Sequence, residues 1–146
     1  MVFKAESEVR FRELIGALKE RKFRLTPQRI ALVRLIAASK THPNASQLHA
    51  TVKRRFPTIS HATVYKTLAL LKDLNQVLEI DLRGDSHYDG NRPQPHPHLI
   101  CLKCHAIIDA EVSLDPKLLR KMEQASGYQI LRPQISLYGL CRDCRE

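Results

Sequence analysis

Long apolar runs are missing from this chain: nowhere in its 146 residues does one approach the ~20 that a membrane-crossing helix requires, so no membrane span is expected. Met1–Arg10 mixes charges and never builds the apolar stretch of a secretory signal, so the thiols are expected to face a reducing cytosol, where disulfides do not persist. The marks of catalytic machinery are missing too. There is no nucleophile motif, no HExxH helix and no glycine-rich phosphate loop, and an enzyme is not expected. Acidic residues are scarce in one stretch above all, Lys19 through Lys66, which holds eleven basic residues against the single acid Glu20.

What is present is ordinary globular composition, 43% hydrophobic and 27% charged, enough for a respectable core. The net charge of +9 is unevenly divided: residues 1–85 carry 16 Lys/Arg and 8 Asp/Glu, residues 86–146 carry 8 and 7. A positive field confined to the N-terminal part is the footprint of a phosphate-backbone binder. Charge alone leaves DNA, RNA, an anionic membrane surface and a merely solvated basic face open.

All four cysteines fall into two CxxC pairs, Cys101/Cys104 and Cys141/Cys144, the first just behind the imidazoles His96 and His98. Thiolates two residues apart reach one small cation from a single turn, so two pairs supply a closed tetrahedral shell suited to structural Zn(II). Thirty-six residues separate the pairs, so a small subdomain must fold between them and be stapled by the metal. Two disulfides are the alternative in an oxidising compartment. A thioredoxin-like dithiol would leave the second pair unexplained.

The order of elements narrows the function. Glu6–Lys22 reads as an amphipathic helix with Val9, Leu14, Ile15 and Leu18 inward. Thr26-Pro27 reads as N-cap and N1 proline of a helix carrying Ile30, Leu32, Val33, Leu35 and Ile36. Asn44-Ala45-Ser46 opens a third helix stopped by Phe56-Pro57, and Ser60 caps a fourth that presents Val64, Leu68, Leu70 and Leu71 inward. Val77–Leu82, the turn Arg83-Gly84-Asp85-Ser86 and His87-Tyr88 read as a hairpin, and helices followed by a hairpin make a winged helix. Residues 1–88 are thus expected to form a winged helix-turn-helix domain that binds double-stranded DNA. Its fourth helix would offer His61, Thr63, Tyr65 and Lys66 to a major groove, with Arg24, and less directly Lys22, reaching the backbone. Tyr65 could equally be a packing ring. Plain solvation is the alternative for the two basic residues.

Residues 89–97, with three prolines, read as a semi-stiff hinge. From His98 to the C-terminus a small α/β domain is expected, giving an α+β protein overall: strands at His98–Leu102 and Ala106–Val112, a helix at Asp115–Ser126, and a long strand at Tyr128–Tyr138. An open strand edge on so small a domain predicts a homodimer, the symmetry that palindrome-reading proteins also need.

Arg24-Leu25-Thr26-Pro27-Gln28-Arg29, His42-Pro43, Ser60 through Tyr65, the run 95–101, Ile107-Ile108-Asp109 and the terminal CxxC together resemble the ferric uptake regulator family, across essentially the whole chain. The resemblance implies a cytoplasmic, dimeric, metal-dependent DNA-binding repressor of AT-rich palindromic operators, with zinc on the four cysteines. It places a regulatory Fe(II) or Mn(II) on His42, Asp89, His96, His98 and Asp109. That set makes chemical sense by itself: three imidazoles and two carboxylates neutralise a divalent ion and suit Fe(II) or Mn(II) better than thiolates do. Five protein ligands also leave little of the open coordination a hydrolase or oxygenase needs. His49, His61, His87 and His105 read as ordinary surface or hinge histidines. Aspartate at 109 resembles the peroxide-responsive (PerR) branch, in which peroxide oxidises a ligand histidine, here His42 or His96; the iron-responsive type is the alternative. The chain departs from the pattern in having His105-Ala106 where relatives place glycine after the first CxxC, which predicts a residue forced into left-handed backbone.

Overall fold

Thr26, Asn44, Ser60 and Asp115 each accept a hydrogen bond from a backbone N–H in the first turn of a helix, those of Arg29 (3.3 Å), Gln47 (2.8 Å), Thr63 (3.1 Å) and Lys117 (2.9 Å). These caps supply partners for amides that a helix leaves unpaired, and they fix where four of the five helices begin. The structure is a computed structural model that describes the backbone of residues 2–92 and 94–145 and the side chains of 4–92 and 94–145. Pro93 of the expected hinge lies outside the described residues, as do Met1 and Glu146. The chain divides into two units, Met1–Pro93 and Gln94–Glu146.

The first unit contains α1 (Val2–Glu20), α2 (Pro27–Ala38), α3 (Ala45–Lys53), α4 (His61–Asp73), and the antiparallel hairpin β1 (Leu78–Leu82) and β2 (Asp85–Asp89). This is a winged helix-turn-helix with one extra helix in front. Leu14 and Leu18 of α1, Leu32, Val33 and Ile36 of α2, Leu48 and Val52 of α3, and Val64, Leu68 and Leu71 of α4 form one core with Val77 and Tyr88. Val9, expected inward, is 57% exposed, and its neighbour Arg10 takes the buried position instead at 5%. Arg10, Leu14 and Leu18 follow at four-residue spacing, so the stripe runs one residue later than apolarity indicated. The wing turn is tighter than expected. Leu82 pairs with Asp85, and Arg83 and Gly84 both take positive φ (53° and 82°), the signature of a two-residue type I′ loop.

The second unit contains β3 (His98–Cys101), β4 (Ile107–Asp109), α5 (Pro116–Ser126) and β5 (Ser136–Gly139), with sheet order β4-β3-β5; β3 is antiparallel to β4 and parallel to β5. The long strand expected over Tyr128–Tyr138 is pairing strand only from Ser136: the N–H groups of Tyr128 and Ile130 donate to Ser126 Oγ and Glu123 Oε1 of α5, and Pro133 has none to give. His105 takes φ 63°, the left-handed conformation expected there. Among the described residues of this unit only Ile100 and Cys101 are buried hydrophobics, and no residue of α5 is buried.

Residues at the end of the wing are held within the first unit. Arg10 Nε donates to the Gly90 carbonyl (2.7 Å), Asn91 Nδ2 donates to the Ala37 carbonyl (2.9 Å), and a Cβ on Gly90 would run into Cγ2 of the buried Ile36. A branched side chain beside its own backbone cannot swing aside. Gly90→Ala is therefore expected to destabilise the first unit by about 1–3 kcal/mol, the usual penalty of overpacking, measured by denaturant unfolding against wild type.

Candidate metal centres and nucleic-acid interface

In the second unit, pairing of β3 with β4 sets His98 directly across from Asp109. His96 lies two residues before His98, and the two rings sit 4.5 Å apart. Both imidazoles aim Nε2 at one oxygen: His96 is 3.1 Å and His98 3.3 Å from Asp109 Oδ1. The Gln94 carbonyl lies 2.7 Å from His96 Nδ1, and a carbonyl can only accept, so Nδ1 carries a proton. Nε2 of a neutral His96 then presents a lone pair to a carboxylate, an arrangement that needs a cation or a proton between the two atoms. Both histidines are buried.

In the first unit, Asp89 ends β2. Its Oδ1 accepts the backbone N–H groups of Asn91 (3.2 Å) and Arg92 (3.3 Å), while Oδ2 lies 3.6 Å from His42 Nε2. His42 is brought there by stitching of its loop to β2: His87 Nδ1 donates to the His42 carbonyl, Tyr88 N–H to the Pro43 carbonyl (2.9 Å), and Asn44 Nδ2 to Asp85 Oδ2 (3.0 Å). Two donors each ~2.1 Å from a shared ion lie roughly 3.0–3.5 Å apart; the 3.1 and 3.3 Å spacings of the second unit fall in that range, and the 3.6 Å spacing of the first lies just beyond it.

The cysteines form the third cluster. Their four sulfurs lie within 4.8 Å of one another, and Cys104 Sγ is 3.7 Å from Cys141 Sγ. This is far beyond the ~2.05 Å of a disulfide, and it matches the ~3.8 Å edge of a tetrahedron with ~2.3 Å Zn–S bonds. All four are free thiols. Backbone N–H groups of Cys104 (3.5 Å) and Cys141 (3.4 Å) point at Cys101 Sγ and pull its pKa down from the usual 9.0 to about 5. Hydrogen bonding to Cys141 Sγ pushes Cys144 up to about 12. The cluster is thus built to start as a thiolate at Cys101 and to lose its further protons to a bound cation. A lowered thiol pKa gives the metal-free fold stability that is complete above about pH 9 and disappears as pH falls through about 5. Ultraviolet titration of thiolate absorbance in metal-free protein should accordingly reveal an ionisation on the acid side of neutrality, absent in a Cys101→Ser variant.

At the head of α4, Tyr65 is 53% exposed, so much of its ring faces outward. Ala62, His61 and Lys66 are exposed alongside it, as is Arg24 in the turn before α2. Thr63 is half-buried, its hydroxyl 3.0 Å from Ser60 Oγ within the cap. Sequence reasoning missed three roles here. His49 is buried rather than on the surface, with Nε2 2.9 Å from the Ile59 carbonyl, and its ring stacks on His61 at 3.7 Å. His87 is a stitch of the His42 loop, as described above. Arg10 looked like one more basic residue of a positive domain. The i, i+4 relation of Arg10 to Leu14 was the available signal.

The chain matches the ferric uptake regulator family model over residues 20–138. It is 32% identical to the peroxide-responsive repressor PerR of Staphylococcus epidermidis over 136 residues, 92% of this chain and 89% of that protein. Among solved structures it resembles a zinc-bound manganese uptake regulator (29% identity, TM-score 0.61, 88% and 98% of the two chains). The ferric uptake regulator of Helicobacter pylori shares the fold at 20% identity, with TM-score 0.73 over 96% and 94% of the chains. No helix among the described residues is long and apolar enough to cross a membrane. The chain therefore belongs to the ferric uptake regulator family, whose members are metal-responsive transcriptional regulators and not enzymes.

Proposed function

We propose that this protein is a cytoplasmic, homodimeric repressor that binds AT-rich palindromic operators when loaded with Fe(II) or Mn(II), and that it senses hydrogen peroxide. His42, Asp89, His96, His98 and Asp109 would hold the regulatory ion, and Cys101, Cys104, Cys141 and Cys144 a structural Zn(II). The observation that carries this reading is the aim of His96 and His98 at one oxygen of Asp109, with His96 locked by Gln94 so that its ligating nitrogen faces inward. Histidine and carboxylate donors without sulfur suit Fe(II) and Mn(II). A ligand set drawn from residues 42 and 89 and from residues 96, 98 and 109, with 89–97 as hinge, would let the ion select one arrangement of the two units for DNA.

Dimerisation has its own support. Ile108, Leu137, Tyr138 and Leu140 are each more than half exposed, and β5 ends the sheet with an open edge. A unit with so little core of its own gains stability by covering that face with a second copy.

Bound Fe(II) would activate peroxide beside three imidazoles; in the net change peroxide is reduced to water while one ligand imidazole loses two electrons and gains one oxygen at a ring carbon. His42 and His96 are the residues expected to take up that oxygen, after which they would ligate poorly and the operator would be released. Peroxide should therefore free the Fe(II)-loaded protein from operator DNA and add oxygen to His42 or His96, while the Mn(II) form stays bound. Gel-shift titration with peptide mass mapping checks this. If the histidines stay unmodified and the Fe(II) protein stays on DNA, the iron-responsive reading replaces the peroxide one.

The surface of α4 gives a second expectation. Tyr65→Ala should weaken operator binding more than binding to random duplex, because an exposed ring at the head of α4 would contact bases. Arg24→Ala should weaken both alike and make the salt slope shallower by ~1, measured by fluorescence anisotropy across a salt series.

A further inference from the structure

Arg10 occupies a place where an apolar residue would be expected, one turn before Leu14 and two before Leu18 on the inward stripe of α1. All three of its guanidinium nitrogens donate: Nε to the Gly90 carbonyl at 2.7 Å, Nη1 to Glu13 Oε2 at 2.9 Å and to Gln76 Oε1 at 3.0 Å, and Nη2 to the Gln76 carbonyl. A buried guanidinium is a poor choice for stability alone, since well-packed apolar residues commonly do as well or better. Its use lies in what it holds. The Gly90 carbonyl and the Asn91 N–H belong to one peptide unit, which is planar and rigid. On one side of that plane Arg10 grips the oxygen; on the other the N–H donates to Asp89 Oδ1 at 3.2 Å. Turning the plane would withdraw the hydrogen bond that turns Oδ2 toward His42.

We propose that Arg10 is a positioning residue for Asp89, acting from α1 through the Gly90–Asn91 peptide to set the affinity of the regulatory metal site. The inference rests on the proposed role of Asp89 as a ligand. It follows that α1 does more than fill the core: losing the grip of Arg10 on the Gly90 carbonyl moves a metal ligand, and a metal bound at Asp89 stiffens that grip in return. The fork is what makes an arginine necessary here, because a lysine offers one point of attachment where four acceptors on three residues must be held in fixed relation.

The test is calorimetric titration of zinc-loaded wild-type, Arg10→Gln, Arg10→Lys and Leu14→Ala protein with Mn(II), beside denaturant unfolding of each without Mn(II). Losing such support for a ligand typically weakens metal binding by about 10- to 100-fold, so Arg10→Gln should bind Mn(II) about tenfold more weakly, with Arg10→Lys in between and zinc content unchanged. Leu14→Ala should lower stability at least as much yet keep wild-type Mn(II) affinity. Should Arg10→Gln bind like wild type, or should Leu14→Ala lose affinity to the same extent, Arg10 is a structural residue and the inference is wrong. Should wild-type zinc-loaded protein bind no Mn(II) at all, the proposed regulatory site itself falls. If Arg10→Gln fails to fold, Gln76→Ala, which removes one anchor of the guanidinium and leaves Arg10 in place, should still weaken Mn(II) binding severalfold; wild-type affinity in that variant counts against the proposal.

Discussion

An imidazole lone pair cannot rest against a carboxylate oxygen unless something positive lies between them. His96 is held in that situation because the Gln94 carbonyl claims the proton on Nδ1, leaving Nε2 to face Asp109. His98 brings a second imidazole to the same oxygen from the facing strand. Each of these contacts comes from backbone that is fixed for other reasons, namely the β3/β4 ladder and the short run of residues before it. The arrangement therefore sets two imidazoles and a carboxylate around one point where a cation or a proton is held, which is the property a metal-responsive regulator requires.

The first unit solves the same problem with different means. His42 sits in a loop with no element of its own, and a loop histidine would ordinarily sample many positions. Hydrogen bonds from His87, Tyr88 and Asn44 attach that loop to β2, the strand that ends in Asp89. Asp89 is itself oriented by two backbone N–H groups. Loss of such outer partners commonly weakens metal binding by about 10- to 100-fold. On the proposed reading, the wing is both part of the DNA-binding architecture and the mount for a metal ligand.

Much of this was legible in the sequence where the signal is local. Thr26, Asn44, Ser60 and Asp115 stand where caps must stand, and the cysteine spacing announces a four-sulfur cluster whose 3.7 Å separation bears it out. The misses have physical causes. Val9 was read inward because apolarity and burial usually agree, but a guanidinium with partners at residues 76 and 90 can claim the buried site, and those partners are distant in sequence. The strand expected from Tyr128 begins only at Ser136 because periodicity does not record which N–H groups are available. The buried setting of His49 depends on the Ile59 carbonyl and the stacked ring of His61, neither of which a helical pattern in α3 reveals.

The distribution of apolar burial bears on why metals matter more to one half of this chain than to the other. The first unit has a continuous core drawn from four helices and the wing. The second has a three-stranded sheet, a helix with no buried residue, and two buried hydrophobics among its described residues. A unit of that kind holds together through cross-links and association rather than through its own interior, which is the circumstance in which metal binding becomes folding free energy. On the proposed reading, zinc and the dimer therefore supply a stable platform. The regulatory ion then has only to shift an equilibrium between arrangements of two already folded parts, and for that its effect is limited to its difference in affinity between them. On that reading, ligands set in advance on both parts would make that difference large, because an ion would gain all five donors in one arrangement and only a subset in the others.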